Sequence, residues 1–263
     1  MEKSLSNTWI IIQIGEAEYC INSEYVKGVA ELSKAEYQKP VSYSGIMRGI
    51  YKIYAANIPV LDGRRLLGYT SIDEERLNFS EKIHNLKYKH MTLLDDLEWS
   101  IMTKDVFSKS LNMDESALSN WLQGTEFKDK KLDHTVQNML APLKVIYSLA
   151  NKALCSRSEI SYTQAHNLIT EIKRQSELYI IKGLNALIEI HNKSIVEMCV
   201  VIRCKGIDFG ISADTIVSIS EQSGDISKVC KDRLSAGAIT IRDSEYNIIN
   251  LTKITNLIKV QEV

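Results

Sequence analysis

The residues of this chain best suited to metal ligation or nucleophilic attack are five histidines and five cysteines, and their spacing assembles neither chemistry. His84, His90, His134, His166 and His191 include no i, i+3 or i, i+4 pair, the separations that put two imidazoles on one helix face. Solvated or capping roles are therefore expected of them. Cys20, Cys155, Cys199, Cys204 and Cys230 contain no C-x-x-C pair, and their odd number fits reduced thiols better than a disulfide framework. Cys199 and Cys204 lie on one expected strand, where their spacing sends the side chains to opposite faces as core thiols. Asp95 and Asp96 resemble a carboxylate pair, but adjacent helical residues diverge by about 100°, which makes a solvated face the better reading. Gly45, Gly49 and Gly63 lack the spacing of a phosphate loop, and Lys128-Asp-Lys-Lys131 reads as a solvated helix start. A cysteine–histidine nucleophile assembled from distant segments is left open, with nothing local in its favour. No enzyme, cofactor or metal site is expected.

Composition narrows the partners. The 263 residues carry 32 basic and 33 acidic side chains, a formal net charge of −1, which gives no electrostatic reason to bind nucleic acid or an anionic membrane. Apolar residues make up 44%, ordinary for a globular chain, and no apolar run is long enough to span a bilayer. Without a signal-like start, and with reduced cysteines, a cytoplasmic location is expected.

Elements to position any site must come from a repeat. Trp9-Ile-Ile-Ile-Gln-Ile-Gly15, Tyr19-Cys-Ile21 and the Val26/Val29 stripe return about 190 residues later as Cys199-Val-Val-Ile-Arg-Cys204, Phe209-Gly-Ile211 and Ile216/Ile219. Gly49-Ile50 to Asp62 likewise resembles Gly237-Ala-Ile239 to Asn250. Each unit reads strand, tight turn, strand, short helix, loop, strand, turn, strand, short helix. Ser23 is the expected cap of the first short helix, with Val26, Val29 and Ala30 on one face. Pro59 lacks a backbone donor, so its strand should be an edge or carry a bulge. Turns are expected at Gly15-Glu16, Lys205-Gly206 and Asp243-Ser-Glu245. Neither half is large enough to bury a core alone, so the two must meet in space.

Between the halves the period changes to helical: Leu94, Leu97 and Ile101; Leu132, Val136, Leu140, Leu143 and Tyr147; Leu168, Ile172, Tyr179 and Leu187. Three or four antiparallel helices would bury these stripes, with Trp99 and Trp121 as core anchors and Pro142 kinking or breaking the third helix. The expected organisation is residues 1–77 as the first half of a β domain, 78–193 as an inserted helical bundle, and 194–263 as the second half.

The outer halves resemble the CheW-like domain of bacterial chemosensory coupling proteins. The family's "V-x-E-I" and "G-V-x-x-L-R-G-x-x-I-P-V-x-D-L-R-x-x-L-G" correspond to Val26-Lys-Gly-Val29 and to the stretch from Gly49 through Ile58-Pro-Val-Leu-Asp-Gly-Arg-Arg-Leu-Leu-Gly68. "G-x-x-V-D-x-V" corresponds to Gly210-Ile-Ser-Ala-Asp-Thr-Ile216. The resemblance implies a mixed, mainly β fold: a pair of five-stranded β subdomains, here interrupted by a helical bundle. The chain departs from the pattern near the family's binding surfaces. The pattern's Arg falls on Tyr54, the following Gly on Ala55, and its acidic residue on Gly28, all near surfaces where the family binds receptors or the histidine kinase. By the same resemblance the partner-binding residues are Val26, Val29, Gly49, Tyr54 and Pro59, Gly49 and Pro59 also having a plain structural reading.

The middle segment resembles the chemoreceptor zinc-binding domain. The family's "H-x-x-W", "C-x-L-G-x-W" and "H-x-x-x-H-x-x-A" correspond to Asp96-Leu-Glu-Trp99, Ser116-Ala-Leu-Ser-Asn-Trp121 and Leu143-Lys-Val-Ile-Tyr147-Ser-Leu-Ala150. Leucine cannot ligate zinc and serine is a poor substitute for thiolate, so this resemblance implies a bundle without its metal. Together the resemblances imply a non-enzymatic scaffold that binds a CheA-type histidine kinase, a chemoreceptor or another coupling protein, including at membrane-associated arrays. They leave room for a homodimer through the bundle, and imply neither nucleic-acid binding nor membrane insertion. The alternative is a cytoplasmic ligand sensor whose bundle binds a small molecule and alters the scaffold's contacts.

Overall fold

The structure is a computed structural model and describes residues 8–38, 45–221, 226–227 and 234–260; Cys230 lies outside them. The first half runs β1 (Thr8–Ile14), β2 (Ala17–Asn22), β3 (Val26–Glu31), β4 (Glu36–Gln38), β5 (Met47–Ile53), β6 (Ala56–Leu61) and a one-turn helix α1 (Gly63–Leu66). A helical stretch follows: α2 (Ile72–Thr103), α3 (Ala117–Gly124), α4 (Lys130–Cys155), α5 (Tyr162–Gln175), a π-helical segment (Ser176–Ile181) and α6 (Lys182–Ser194). The second half is β7 (Met198–Cys204), β8 (Ile207–Ala213), β9 (Thr215–Glu221), β10 (Ile226–Ser227), β11 (Ser235–Ile241), β12 (Ser244–Ile249) and α7 (Leu251–Val260). This is a mixed architecture of two six-stranded sheets separated in sequence by a helical insertion; in each sheet five strands are long and one edge strand, β4 or β10, has three residues or fewer.

The sheets interlace the two halves. One has the order β10-β11-β12-β2-β1-β9, the other β4-β5-β6-β8-β7-β3. Each therefore takes a central hairpin from one half and its flanks from the other. The joints are alike: β12 meets β2 and β6 meets β8 in parallel over two residue pairs each, while β9 and β3 lie antiparallel to β1 and β7. Gly49 and Gly237 both sit at a shift of register, opposite Val60 and Ile248. A Cβ at Gly49 would strike the Tyr37 ring, and one at Gly237 the Ser227 carbonyl oxygen, so both bulges exclude a side chain.

Burial explains the isoleucine-rich strands. Ile10, Ile12 and Ile14 of β1 share a core with Val200, Ile202, Phe209 and Ile211 and with Leu251, Ile254 and Ile258 of α7. The other face of β1, Trp9 and Ile11, packs inside its own sheet with Cys20, Ile239 and Ile241. In β7 the same division holds: Cys199 and Val201 pack with Tyr51, Ile53 and Val60, whereas Val200, Ile202 and Cys204 face the shared core. Both thiols are buried on opposite faces, as their spacing implies, and burial pushes the Cys20 and Cys199 thiols up to about 12.

Several local expectations are corrected. Val26–Glu31 is a strand, not a short helix: Asn22, in place of Ser23, caps a single 3-10 turn at Ser23–Tyr25, and the β-branched Val26 and Val29 and the helix-poor Gly28 then extend along β7. Ile216 and Ile219 likewise belong to strand β9. Pro59 lies on an interior strand, but β8 pairs only with Val60 and Leu61, so the missing N–H falls where β6 has β5 alone beside it. The β11–β12 turn is centred on Arg242 and Asp243.

The chain divides into two compact units, Met1–Ile72 with Ile195–Val263, and Asp73–Ser194. The first division comes ahead of residue 77 because α2 already begins at Ile72, with Asp73, Glu74 and Glu75 complementing its N-terminal dipole. Within the helical unit, Lys87 reaches Asn185, His90 reaches Ser176, and Lys173 reaches Asp95 and Glu98, which sets α2 antiparallel to the α5–α6 stretch. The core combines Leu97, Ile101, Leu122, Val136, Leu143, Ile172 and Leu184. Helix α4 continues through Pro142 unbroken. Trp99 is 66% exposed and no core anchor, whereas Trp121 is half-buried against Phe127. The π segment carries the buried face through Ser176 and Ile180 and leaves Tyr179 outside.

Candidate functional site

Of the five residues expected to bind a partner, the structure brings Val29 and Tyr54 into direct contact. Tyr54 occupies the β5–β6 turn with φ 51°, and Ala55 follows with φ 64°. The sheet curls far enough for this turn to reach edge strand β3. There the Tyr54 hydroxyl donates to the Val29 carbonyl oxygen at 2.6 Å. Its ring lies against Gly28, where an added Cβ would come within 2.7 Å of the ring and hydroxyl. Tyr54 remains 65% exposed, so one face of the ring still meets solvent. The positions occupied by Gly28 and Tyr54, which both depart from the family pattern, thus form one surface feature. Val26 and Val29 are half-buried beside it, and Lys27 and Arg203 both hold Asp208, drawing its carboxyl down to about 2.

Gly49 and Pro59 lie farther along the same hairpin, Gly49 opposite Val60 and Pro59 opposite Ile50. Gly49 is buried beneath the Tyr37–Tyr51 ring pair, whose centroids are 5.3 Å apart. Asp214, the acidic residue of the second-half pattern, binds the β1–β2 turn and α1 together. Its carboxylate accepts from the Gly15 N–H at 2.8 Å and from Arg64 Nε at 2.7 Å, and its own N–H donates to the Gln13 carbonyl.

The sequence reading missed the edge of β9, where Ile219 is 66% and Val217 43% exposed. Its signal was the run Thr215-Ile-Val-Ser-Ile219, dense in β-branched residues, which a helical reading of Ile216/Ile219 concealed.

In the helical unit two of the four positions matched to zinc ligands, Ser116 and Tyr147, meet directly. Asp96 pairs with Lys109, Leu143 is fully buried in the core, and the Tyr147 hydroxyl donates to Ser116 Oγ at 2.8 Å. Among the described residues no group of three or more His, Cys, Asp or Glu side chains is placed to hold a metal ion. Asp95 and Asp96 turn to different partners, Lys173 and Lys109. The histidine expectation needs correcting at two positions. His191 is half-buried and stacks on Phe79 at 4.0 Å between centroids, while His90 is buried at 3% exposure. Burial lowers His90 to about 4, which keeps it neutral near pH 7. Ser116 and Tyr147 line one wall of a cavity of about 460 Å³, and His90 another. Among the described residues no helix is long and apolar enough to cross a membrane.

No family model matches the chain, and no curated protein matches it. Among solved structures it is similar to the scaffolding protein TtCheW from Thermoanaerobacter tengcongensis, at 10% identity and a TM-score of 0.41, over 94% of this chain and 89% of that one. A likeness at this level assigns no function.

Proposed function

We propose that this chain is a non-enzymatic adaptor of bacterial chemosensory signalling, whose β unit binds a CheA-type kinase regulatory domain, a chemoreceptor or another coupling protein. One observation carries the reading. Positions 28 and 54, which the family pattern places near partner-binding surfaces, are distant in sequence and meet on one exposed strand edge. Here the charged pair expected from the pattern is replaced by an aromatic ring seated on a glycine. A half-exposed tyrosine is a frequent anchor of protein interfaces, so the exchange retunes the surface toward a partner with an apolar pocket in place of a charge. Val26 and Val29 flank the ring, and Gly49 and Pro59 shape the hairpin that presents it.

Calorimetric titration of the whole chain with the kinase regulatory domain, receptor tip and coupling proteins of its own cell tests the proposal. One of them should bind, and Tyr54→Ala should weaken that complex by roughly 1–2 kcal/mol. Because Tyr54 also braces β3, thermal unfolding of the same variant must show it folded at the titration temperature. No binding by the unaltered chain to any of these partners removes the adaptor reading.

The cavity of the helical unit favours a second reading, a ligand sensor whose bundle binds a small molecule and alters the scaffold's contacts. In either case the bundle is proposed to carry no zinc, because Leu143 and Tyr147 stand where ligands are needed. Elemental analysis of untagged protein checks this, and one zinc per chain released only on unfolding would refute it.

A further inference from the structure

Helix α2 keeps an apolar stripe outside the bundle. Its four exposed large apolar residues, Leu77, Tyr88, Met91 and Trp99, fall within an arc of about 80° around the helix, opposite the buried Ile83, Leu86 and Leu97. A helix that serves only its own core is polar on that side. Beside Met91 lies a groove of about 240 Å³ shared with the π-helical segment, its apolar wall supplied by Leu94 and Ile181. Met91 and this groove are the two halves of a ridge-into-groove contact, both carried on one surface.

Charge around Met91 is divided between the two directions of the helix. Toward its C-terminal end Asp95 and Glu98 share the ammonium of Lys173, at 2.8 and 2.6 Å, and Glu177 adds a carboxylate at the groove. Three carboxylates against one lysine leave that side acidic. Toward the N-terminal end stand His84 and Lys87, the Lys87 ammonium donating to the neutral side chain of Asn185 at 3.3 Å. The placement is symmetric in the sequence. Lys87 and Asp95 lie four residues before and after Met91, and His84 and Glu98 lie seven before and after it.

We propose that two copies of this chain pair through α2, antiparallel, about a two-fold axis at Met91. Each Met91 enters the groove of the other copy, Lys87 meets Asp95 of the second copy, and His84 meets its Glu98, each contact occurring twice by symmetry. Trp99 of each chain comes beside His84 of the other. Parallel pairing would instead set Asp95 on Asp95 and Glu98 on Glu98, a like-charge contact at both positions. Residues 80–102 supply about 35 Å of helix, and a contact strip about 15–20 Å wide buries roughly 1,000–1,400 Å² in total, the small end of specific interfaces. An interface of that size suits a dissociation constant of about micromolar. The pairing is independent of both readings of function; in an adaptor it would present two β units at once and raise avidity for clustered partners.

Sedimentation equilibrium of the whole chain from about 1 to 100 μM, a range that brackets such a constant, tests the pairing. At the upper end the mass should be twice that of one chain. Met91→Lys puts a charge on the axis and should weaken the dimer at least tenfold, with helix content by circular dichroism unchanged. Lys87→Glu and Asp95→Lys, tested separately, should each weaken it about tenfold. An equimolar mixture of these two variants should dimerise again, because each supplies the charge that the other lacks. A single-chain mass for the unaltered protein at every concentration would overturn the proposal and leave the stripe to a different protein. A dimer indifferent to Met91→Lys would place the interface elsewhere and overturn it equally. Loss of the dimer in both charge variants without recovery on mixing would overturn the antiparallel pairing. None of these outcomes alters the partner titrations that decide the adaptor reading.

Discussion

Strands β3 and β9 pair with β7 and β1 in matching register, Val26, Gly28 and Val29 lying where Ile216, Ser218 and Ile219 lie, and each sits last in its sheet. The skipped residue also matches, Lys27 in one and Val217 in the other. The two edges are nonetheless finished differently. At β3 the neighbouring hairpin lays Tyr54 across Gly28 and bonds the Val29 carbonyl, leaving Val29 half-buried. At β9 Val217 and Ile219 stand in solvent. An open edge invites strand addition, and natural sheets usually blunt theirs with charge, proline or a covering element. A duplicated fold has thus kept its backbone rule while giving its two equivalent edges different chemistry. One is a braced aromatic surface, the other an exposed apolar strand with no further strand beside it among the described residues.

The largest test asks whether the edges belong to one cooperative structure. Replacing Asp73–Ser194 with a short Gly/Ser linker should leave a β protein with a single unfolding transition, since closure entropy changes slowly with loop length. Two transitions by calorimetry, or insoluble protein across several linker lengths, would separate the halves and dissolve the comparison. Next in size, Val29→Asp should destabilise the fold by roughly 2–3 kcal/mol, whereas Ile219→Asp should change stability by less than about 0.5 kcal/mol. Equal losses in urea titrations would mean that the edges are finished alike. Tyr54→Ala should cost about 1–2 kcal/mol, and Gly28→Ala somewhat less because the tyrosine ring can swing away. In the Tyr54→Ala background the Gly28→Ala penalty should nearly vanish, a coupling that a double-mutant cycle measures directly. The smallest effect is a gain. Ala55 holds φ 64° in the Tyr54 turn, so Ala55→Gly should stabilise the β unit by about 0.5–1 kcal/mol, visible as a higher unfolding midpoint.

The sequence made the duplication legible because its signal is written in strongly alternating or continuous apolar strands, such as Trp9–Ile14 and Cys199–Cys204. It also marked where helical periodicity takes over. The interlacing was not legible, since nothing local in β1 states whether its neighbour is β9 or β3. Helix and strand were confused at Val26–Ala30 because two valines three apart satisfy a helical stripe, while strand pairing with β7 depends on residues some 170 positions away. Trp99 was misplaced for a related reason: a tryptophan's large area makes the core its default home, and only the packing of the other helices decides otherwise. The surface formed by Tyr54 and Gly28 was half visible. Tyr54 and Gly28 stood out as departures from a pattern, but their contact with each other follows from the curl of the sheet.

The interlaced order of strands also sets a timetable during synthesis. When residues 8–66 leave the ribosome, β1 and β2 lack the strands that will flank them, and β6 lacks β8. At 5–20 residues per second, the helical insertion of about 120 residues occupies on the order of ten seconds before β7 appears. Through that interval the isoleucine-rich first half lacks the β7 and β8 residues that complete its cores. The insertion can fold in the meantime, and its two ends finish side by side, Arg76 reaching the Asn192 carbonyl oxygen. A bundle that has already closed would deliver the emerging second half close to the waiting first half. In nascent chains the helical unit would then serve as an assembly jig, shortening a search that an unstructured tether of equal length would leave to diffusion.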